Sequence, residues 1–275
     1  MKTIYSADPV RYRSLSTAEL RENFLLQLFV PGELQCVYSD ADRAVIGSAV
    51  PTGQPLVLGS ADELRSAYFC ERREVGILNV GQPGRVTVDG KVFEMETLDA
   101  LYVGRGSKTL VFESLDNAAP AAFYLLSYPA HTEYPTQHAK KADAEAAHLG
   151  TVADANRRTI YKYIHPQGIK SCQLVLGFTQ LEEGSIWNTM PSHTHARRSE
   201  IYLYFNLTAQ SRVVHLMGEP NETRHLMVAN REVVISPSWS IHSGAGTSAY
   251  TFCWGMGGEN QAFGDMDAVA TQDLR

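Results

Sequence analysis

From Gln35 onward the chain is a series of short apolar runs, each stopped by Gly, Pro or Asp, and this punctuation constrains the fold more than any other feature. Ala44-Val45-Ile46-Gly47, Val75-Gly76-Ile77-Leu78-Asn79-Val80 and Arg85-Val86-Thr87-Val88-Asp89-Gly90 are examples. Asp89-Gly90 is a strong hairpin signal, because both residues tolerate the positive φ that a tight two-residue turn demands. Strands at roughly ten-residue spacing with glycine turns predict a β-sandwich or barrel. Only the N-terminal stretch reads differently. Residues 14–29 carry Leu20, Phe24 and Leu28 at helical spacing, with Ser16 or Thr17 as a cap and Glu19 in the first turn, and predict a helix.

The segment His138–Leu149 is polar and Ala-rich. It reads as a linker, with some helix, over 138–150. That divides the chain into an N-terminal half, 1–137, and a C-terminal half, 151–275. The halves look like diverged copies. Cys70-Glu71-Arg72-Arg73-Glu74-Val75 echoes His195-Ala196-Arg197-Arg198-Ser199-Glu200, and Asp99–Gly104 echoes Glu232–Pro237.

The chemistry concentrates in the second half. Pro191-Ser192-His193-Thr194-His195 is followed by Glu200 and, about forty residues later, by Pro237-Ser238-Trp239-Ser240-Ile241-His242. On an extended strand His193 and His195 leave the same face. Three imidazoles and one carboxylate are a ligand set that leaves positions open on a divalent metal, as a catalytic site requires. In the first half the positions matching the two histidines hold Tyr68 and Cys70, so that half is not expected to bind metal.

Composition excludes several classes. The 275 residues suffice for one large or two small domains. A net charge of −6 argues against nucleic-acid binding through a general positive field. Cys36, Cys70, Cys172 and Cys253 form no Cys-x-x-Cys pair and read as free thiols in a reducing compartment. The N-terminus shows no signal-peptide core, and no apolar run approaches the ~20 residues of a membrane span. A cytoplasmic protein without nucleic-acid or membrane partners is the expectation.

The double motif resembles the cupin signature, although Trp239 stands where cupins usually carry Gly. The wider sequence resembles the 5-keto-4-deoxyuronate isomerase family nearly end to end. The resemblance is carried by Phe69-Cys70-Glu71-Arg72-Arg73-Glu74, Asp99–Gly104, Asn156-Arg157-Arg158-Thr159-Ile160 and Trp187-Asn188-Thr189-Met190-Pro191. It continues through Glu222-Thr223-Arg224-His225, Ile235–Gly244 and Trp254–Gln261. It implies an all-β bicupin: two double-stranded β-helix (jelly-roll) sandwiches with a few flanking helices, and one Zn2+ per chain in the second. The implied ligands are His193, His195, Glu200 and His242. The residues alone leave Mn2+, Fe2+ and Ni2+ open. The resemblance also implies a homo-hexamer acting in breakdown of pectin-type polyuronides, and Trp at position 239 fits the family.

The implied reaction moves a carbonyl from C1 to C2 of an open-chain sugar acid. A divalent ion would stabilise the charge built on the carbonyl oxygen. Proton transfer through an enediol is the leading route, with a hydride shift as the alternative. Glu222, His225 and Tyr163 are candidate bases. Arg224 is the preferred partner for the substrate carboxylate, with Arg197, Arg198 and Arg158 also near the motif. Trp187, Trp239 and Trp254 are candidate pocket walls, and Met190 and Met256 read as packing. Competing readings are another metallo-cupin enzyme such as a dioxygenase or decarboxylase, a related sugar-acid isomerase, and a non-enzymatic sugar-binding bicupin.

Overall fold

The computed structural model describes residues 1–275. The chain forms two compact units, each with one seven-stranded and one four-stranded sheet. In the first unit the larger sheet runs, in spatial order, Lys2–Ile4, Leu34–Ser39, Val45–Ala49, Phe123–Pro129, Arg73–Asn79, Ala100–Val103 and Gln137–Ala139. Its smaller sheet runs Leu56–Val57, Leu110–Ser114, Gly84–Val88 and Lys91–Met95. The predicted Asp89-Gly90 turn joins the last two strands, with Asp89 at φ 48° and Gly90 at φ 82°.

The second unit repeats this order. Its larger sheet runs Glu145–Leu149, Arg158–Ile164, Val175–Leu181, Thr251–Gly258, Arg198–Phe205, Glu232–Ser236 and Leu25–Gln27. Its smaller sheet runs Trp187–Asn188, Ser243–Gly246, Val213–Glu219 and Glu222–Val228. The repeat read from the sequence is real at the level of register. Val75 faces Val103 across its strand pair as Glu200 faces Ser236 across the matching pair. The all-β expectation is met.

What differs between the units is what each buries. Around Val75 and Cys70 the first unit packs Phe69, Ile77, Val103 and Phe112 into one apolar core. Glu74, fully buried one residue away, accepts the Tyr102 hydroxyl and the backbone N–H groups of Cys172, Gln173 and Leu174. That carboxylate fixes the 172–174 stretch to the first unit, where four donors satisfy its buried charge.

Two expectations need correction. The helix spans Thr17–Phe24, not 14–29. Ser16 and Glu19 form a full capping box at its start. It stops at Phe24 because Leu25–Gln27 pairs with Glu232–Ser236, and strand pairing outweighs helical spacing. The stretch expected as a linker is structured. Gln137–Ala139 pairs with Ala100–Val103, Asp99 accepts the Lys141 N–H, and Glu145–Leu149 pairs with Arg158–Ile164. Nor do the units divide at one point. The first comprises residues 1–4, 28–144 and 163–175, and the second 5–27, 145–162 and 176–275. The N-terminal helix and its following strand therefore belong with the C-terminal unit.

Candidate metal centre

The Glu200 strand, Arg198–Phe205, lies between Thr251–Gly258 and Glu232–Ser236, which sets both the depth and the direction of the carboxylate. His193 stands on the short strand His193–Thr194, His195 follows it, and His242 precedes the strand Ser243–Gly246. Their side chains converge. His193 Nε2 lies 3.0 Å from Nε2 of both His195 and His242. Glu200 Oε2 lies 2.9 Å from His195 Nε2 and 3.0 Å from His242 Nε2. All four donor atoms fall within 4.8 Å of one another. His195, Glu200 and His242 are buried, and His193 is half-buried.

Proton bookkeeping tests whether this cluster suits a cation. A carbonyl oxygen only accepts, so the 2.9 Å contact between His195 Nδ1 and the Asp265 carbonyl places the imidazole proton on Nδ1. His242 Nδ1 faces the Ser240 carbonyl at 3.4 Å in the same sense. Both Nε2 atoms then turn lone pairs toward a carboxylate that also only accepts. A proton on His193 Nε2 relieves neither contact with Glu200. A cation among the four atoms relieves all of them, and ligand bonds of about 2.0–2.1 Å place ligand atoms roughly 3 Å apart, as they are here. The residues fit a divalent metal. Burial, with a smaller contribution from His242, holds the His193 imidazole down to about 3, so it is neutral and free to ligate near pH 7. Burial pushes the Glu200 carboxyl up, but positive charge beside it at the His242 and His195 nitrogens holds it well below the usual carboxylate range, and with both imidazoles neutral that charge is left for a cation to supply.

The cluster opens on a cavity whose floor is one face of the larger sheet. Arg158, Thr179, Trp254, Glu200 and Tyr202 come from four adjacent strands. Within each strand the contributing residues are two apart, as alternation of side chains requires. Trp254 lies flat enough to donate its Nε1–H to Thr179 Oγ1 at 3.1 Å. It can do so because position 177 is glycine, where a Cβ would come within 2.4 Å of the indole. Tyr202 sets its ring edge-on to His242 at 5.5 Å and its hydroxyl 3.0 Å from Thr189 Oγ1. Phe263 and Met266, from the C-terminal segment, complete the wall.

Of the residues singled out in the sequence, the structure brings Arg158 and Trp254 to this cavity together with His193, His195 and Glu200, while His242 joins the cluster from outside the lining, and it leaves others elsewhere. Glu222 and His225 are exposed on an outer strand of the smaller sheet. Tyr163 is buried in the first unit, where its hydroxyl donates to the Leu98 carbonyl. None of the three candidate bases lines the cavity. Arg224 spends its guanidinium on the carbonyls of Tyr12, Arg13 and Leu15 at 2.7–3.0 Å. Arg197 is bound by Asp265 and Asp267, and the buried Arg198 by Asn260 and two backbone carbonyls. Trp239 packs on Tyr12 and Phe24, and Trp187 lies outside the lining. Met190 and Met256, read as packing, do line the cavity. Sequence reasoning missed Tyr202 and Thr189. Tyr202 was within reach of it, since a residue two positions from Glu200 on one strand shares its face.

The model of the KduI/IolB family matches residues 29–272. A protein of Caldicellulosiruptor bescii named 4-deoxy-L-threo-5-hexosulose-uronate ketol-isomerase is 50% identical over 276 residues, covering 100% of both chains. One of the same name from Lachnoclostridium phytofermentans is 53% identical, covering 98% of each. Among solved structures, an IolB-like protein of Salmonella typhimurium has a TM-score of 0.70 at 13% identity, covering 90% of this chain and 97% of its own. Bacillus subtilis oxalate decarboxylase has a TM-score of 0.58 at 11% identity, covering 82% and 71%. At such identities the structural likeness shows the fold alone.

Proposed function

The chain belongs to the KduI/IolB family, and from that premise we propose that it is a metal-dependent aldose–ketose isomerase acting on a keto-uronate. The reaction converts 4-deoxy-L-threo-5-hexosulose uronate to 3-deoxy-D-glycero-2,5-hexodiulosonate. The observation that carries this reading is the cluster of three imidazoles and one carboxylate opening on a cavity that is also lined by the Arg158 guanidinium. His193, His195, Glu200 and His242 would hold the ion, which we read as Zn2+. When bound, the ion supplies Lewis acidity that stabilises negative charge on a carbonyl oxygen and so acidifies the neighbouring C–H.

The protein's own groups do the rest. The Asp265 carbonyl holds the proton on His195 Nδ1 and thereby keeps Nε2 turned inward. The Tyr202 hydroxyl, positioned by Thr189, presents an O–H group on the same wall as Glu200 and can hydrogen-bond a substrate oxygen. Phe252, Trp254 and Phe263 line the cavity with apolar surface and keep water from competing for the reacting carbons. The reading extends to polyuronide breakdown and to a hexamer of the 30.4 kDa chain, as the family resemblance implies. No helix is long and apolar enough to cross a membrane.

The deciding experiment pairs metal analysis with turnover of the keto-uronate. One zinc per chain is expected in the wild type, with metal and turnover lost together in His242→Ala. Full turnover by metal-free protein sinks the mechanism. Run in deuterated water, the same assay separates the two routes. Solvent deuterium at the reacting carbon marks the enediol path and counts against a hydride shift.

A further inference from the structure

Arg158 is the one Lys or Arg on the cavity lining. The arginines flanking the site are otherwise engaged. Arg197 and Arg157 pair with carboxylates, while Arg198 and Arg224 are held by backbone carbonyls. Arg158 has no acidic partner. The single hydrogen bond of its guanidinium runs from one terminal nitrogen to the Asn156 carbonyl at 2.8 Å. Asn156 is itself held, since its side-chain oxygen accepts the Thr151 N–H at 2.9 Å. The guanidinium is thus oriented from behind, with most of its donors left for something else. Half-buried beside Tyr202, it pays a desolvation cost that no protein carboxylate offsets.

The sheet sets the distance from this cation to the cluster. Arg158 and Glu200 stand on strands three steps apart, with Val175–Leu181 and Thr251–Gly258 between them. At about 4.8 Å per step their backbones are roughly 14 Å apart. Both side chains line the same cavity, and Tyr202 on the Glu200 strand acts electrostatically on the Arg158 guanidinium, so the gap between cation and cluster is shorter than the backbone separation. A ligand with its reacting end at the cluster and an anion at the far end matches both termini. Two parallel N–H donors of a guanidinium suit a carboxylate better than a hydroxyl or a carbonyl.

We propose that Arg158 binds the substrate's terminal carboxylate and sets the preference for acidic over neutral acyclic sugars. This rests on the isomerase reading of the same site. It assigns the contact to Arg158 rather than to Arg224, whose guanidinium is occupied.

The test compares wild type, Arg158→Gln and Arg158→Lys on two substrates: the keto-uronate and its neutral analogue with a hydroxymethyl group at C6. Metal content and circular dichroism establish that each variant is loaded and folded. In Arg158→Gln, KM for the acid should rise roughly 10–100-fold, the loss expected for a charge-assisted contact. Its kcat should change far less, and turnover of the neutral analogue should stay near wild type. Arg158→Lys should recover part of the KM, because it keeps the charge without the fork. An Arg158→Gln enzyme with the wild-type preference for the acid overturns the proposal, as does a Lys variant as impaired as Gln on both substrates alike. If wild type turns over neither compound, the isomerase reading falls. Calorimetric binding of the keto-uronate then decides for Arg158 separately. Binding weakened in Arg158→Gln upholds the carboxylate contact, and equal or absent binding in both proteins overturns it.

Discussion

At the scale of single residues, the second unit is unusual in burying titratable groups. His215 is fully buried, contacts the Tyr204 hydroxyl through Nδ1 at 2.8 Å and leaves Nε2 without a partner. Burial holds its imidazole down to about 3, against about 6.5 in an unfolded chain. The folded state therefore keeps His215 neutral where the unfolded chain takes up a proton. Stability from this residue is full above pH 6.5 and is lost as pH falls from there toward 3, with an upper bound of ~4–5 kcal/mol. Urea melts at pH 7 and pH 4 should show a smaller acid loss for His215→Gln than for wild type. An identical loss in both proteins refutes the assignment. Legibility at this scale was uneven for a physical reason. A cluster drawn from two motifs leaves its mark in residue type and spacing, so His193, His195, Glu200 and His242 could be nominated together. A carboxylate-binding arginine leaves no such mark. Arg224 lies near the motif in sequence, but its strand belongs to the smaller sheet and its guanidinium is spent on a neighbouring turn.

At the scale of elements, the C-terminal segment from Asn260 to Ala268 does more than its irregular sequence suggests. Asp267–Ala268 pairs with His193–Thr194, Phe263 and Met266 wall the cavity, and the Asp265 carbonyl holds His195. Arg197 fastens the segment by a two-pronged contact to Asp265 and a third bond to Asp267. The Arg197 contact, with help from Asn260, lowers the Asp265 carboxyl to about 2, so this clasp persists through the neutral and mildly acid range and opens only as pH falls toward that value. In Arg197→Ala the segment loses its fastening and His195 its fixed proton position. Metal affinity, read by competition with a chelator, should fall about tenfold, the lower end for loss of a group that orients a ligand. Protease cleavage within 260–268 should accelerate. Unchanged affinity and unchanged cleavage would leave Arg197 as a surface ion pair of little consequence. No periodic pattern marks residues 260–268, since their order comes from side chains of Arg197 and Arg198, which is why the sequence offered Arg197 as a substrate contact. The early end of the N-terminal helix has the same kind of cause. Leu28 keeps helical spacing, but the exposed edge of Glu232–Ser236 captures Leu25–Gln27 first.

At the scale of the whole molecule, one strand order serves two different interiors. The repeat was legible because Cys70–Val75 and Asp99–Gly104 echo His195–Glu200 and Glu232–Pro237 on matching strands, whereas the interleaved boundaries were not, because a strand's partner is a long-range fact. In the first unit the place of the cluster is taken by Cys70 and Val75 within a continuous apolar core, which is stable without a ligand. In the second unit the same place gathers lone pairs and a carboxylate, which repel one another until a cation joins them. Metal binding should therefore stabilise the units unequally. Bound ion at a hundredfold excess over its dissociation constant adds about 2.7 kcal/mol to whatever unfolds with the site. Hydrogen exchange on chelated against zinc-loaded protein should show protection falling in Arg198–Phe205, Glu232–Ser236 and Thr251–Gly258, the strands around Glu200. The matching strands of the first unit, Arg73–Asn79, Ala100–Val103 and Phe123–Pro129, should hold theirs. Equal loss in both sets would mean that the two units open as one, and that the ion supports the first interior as much as the second.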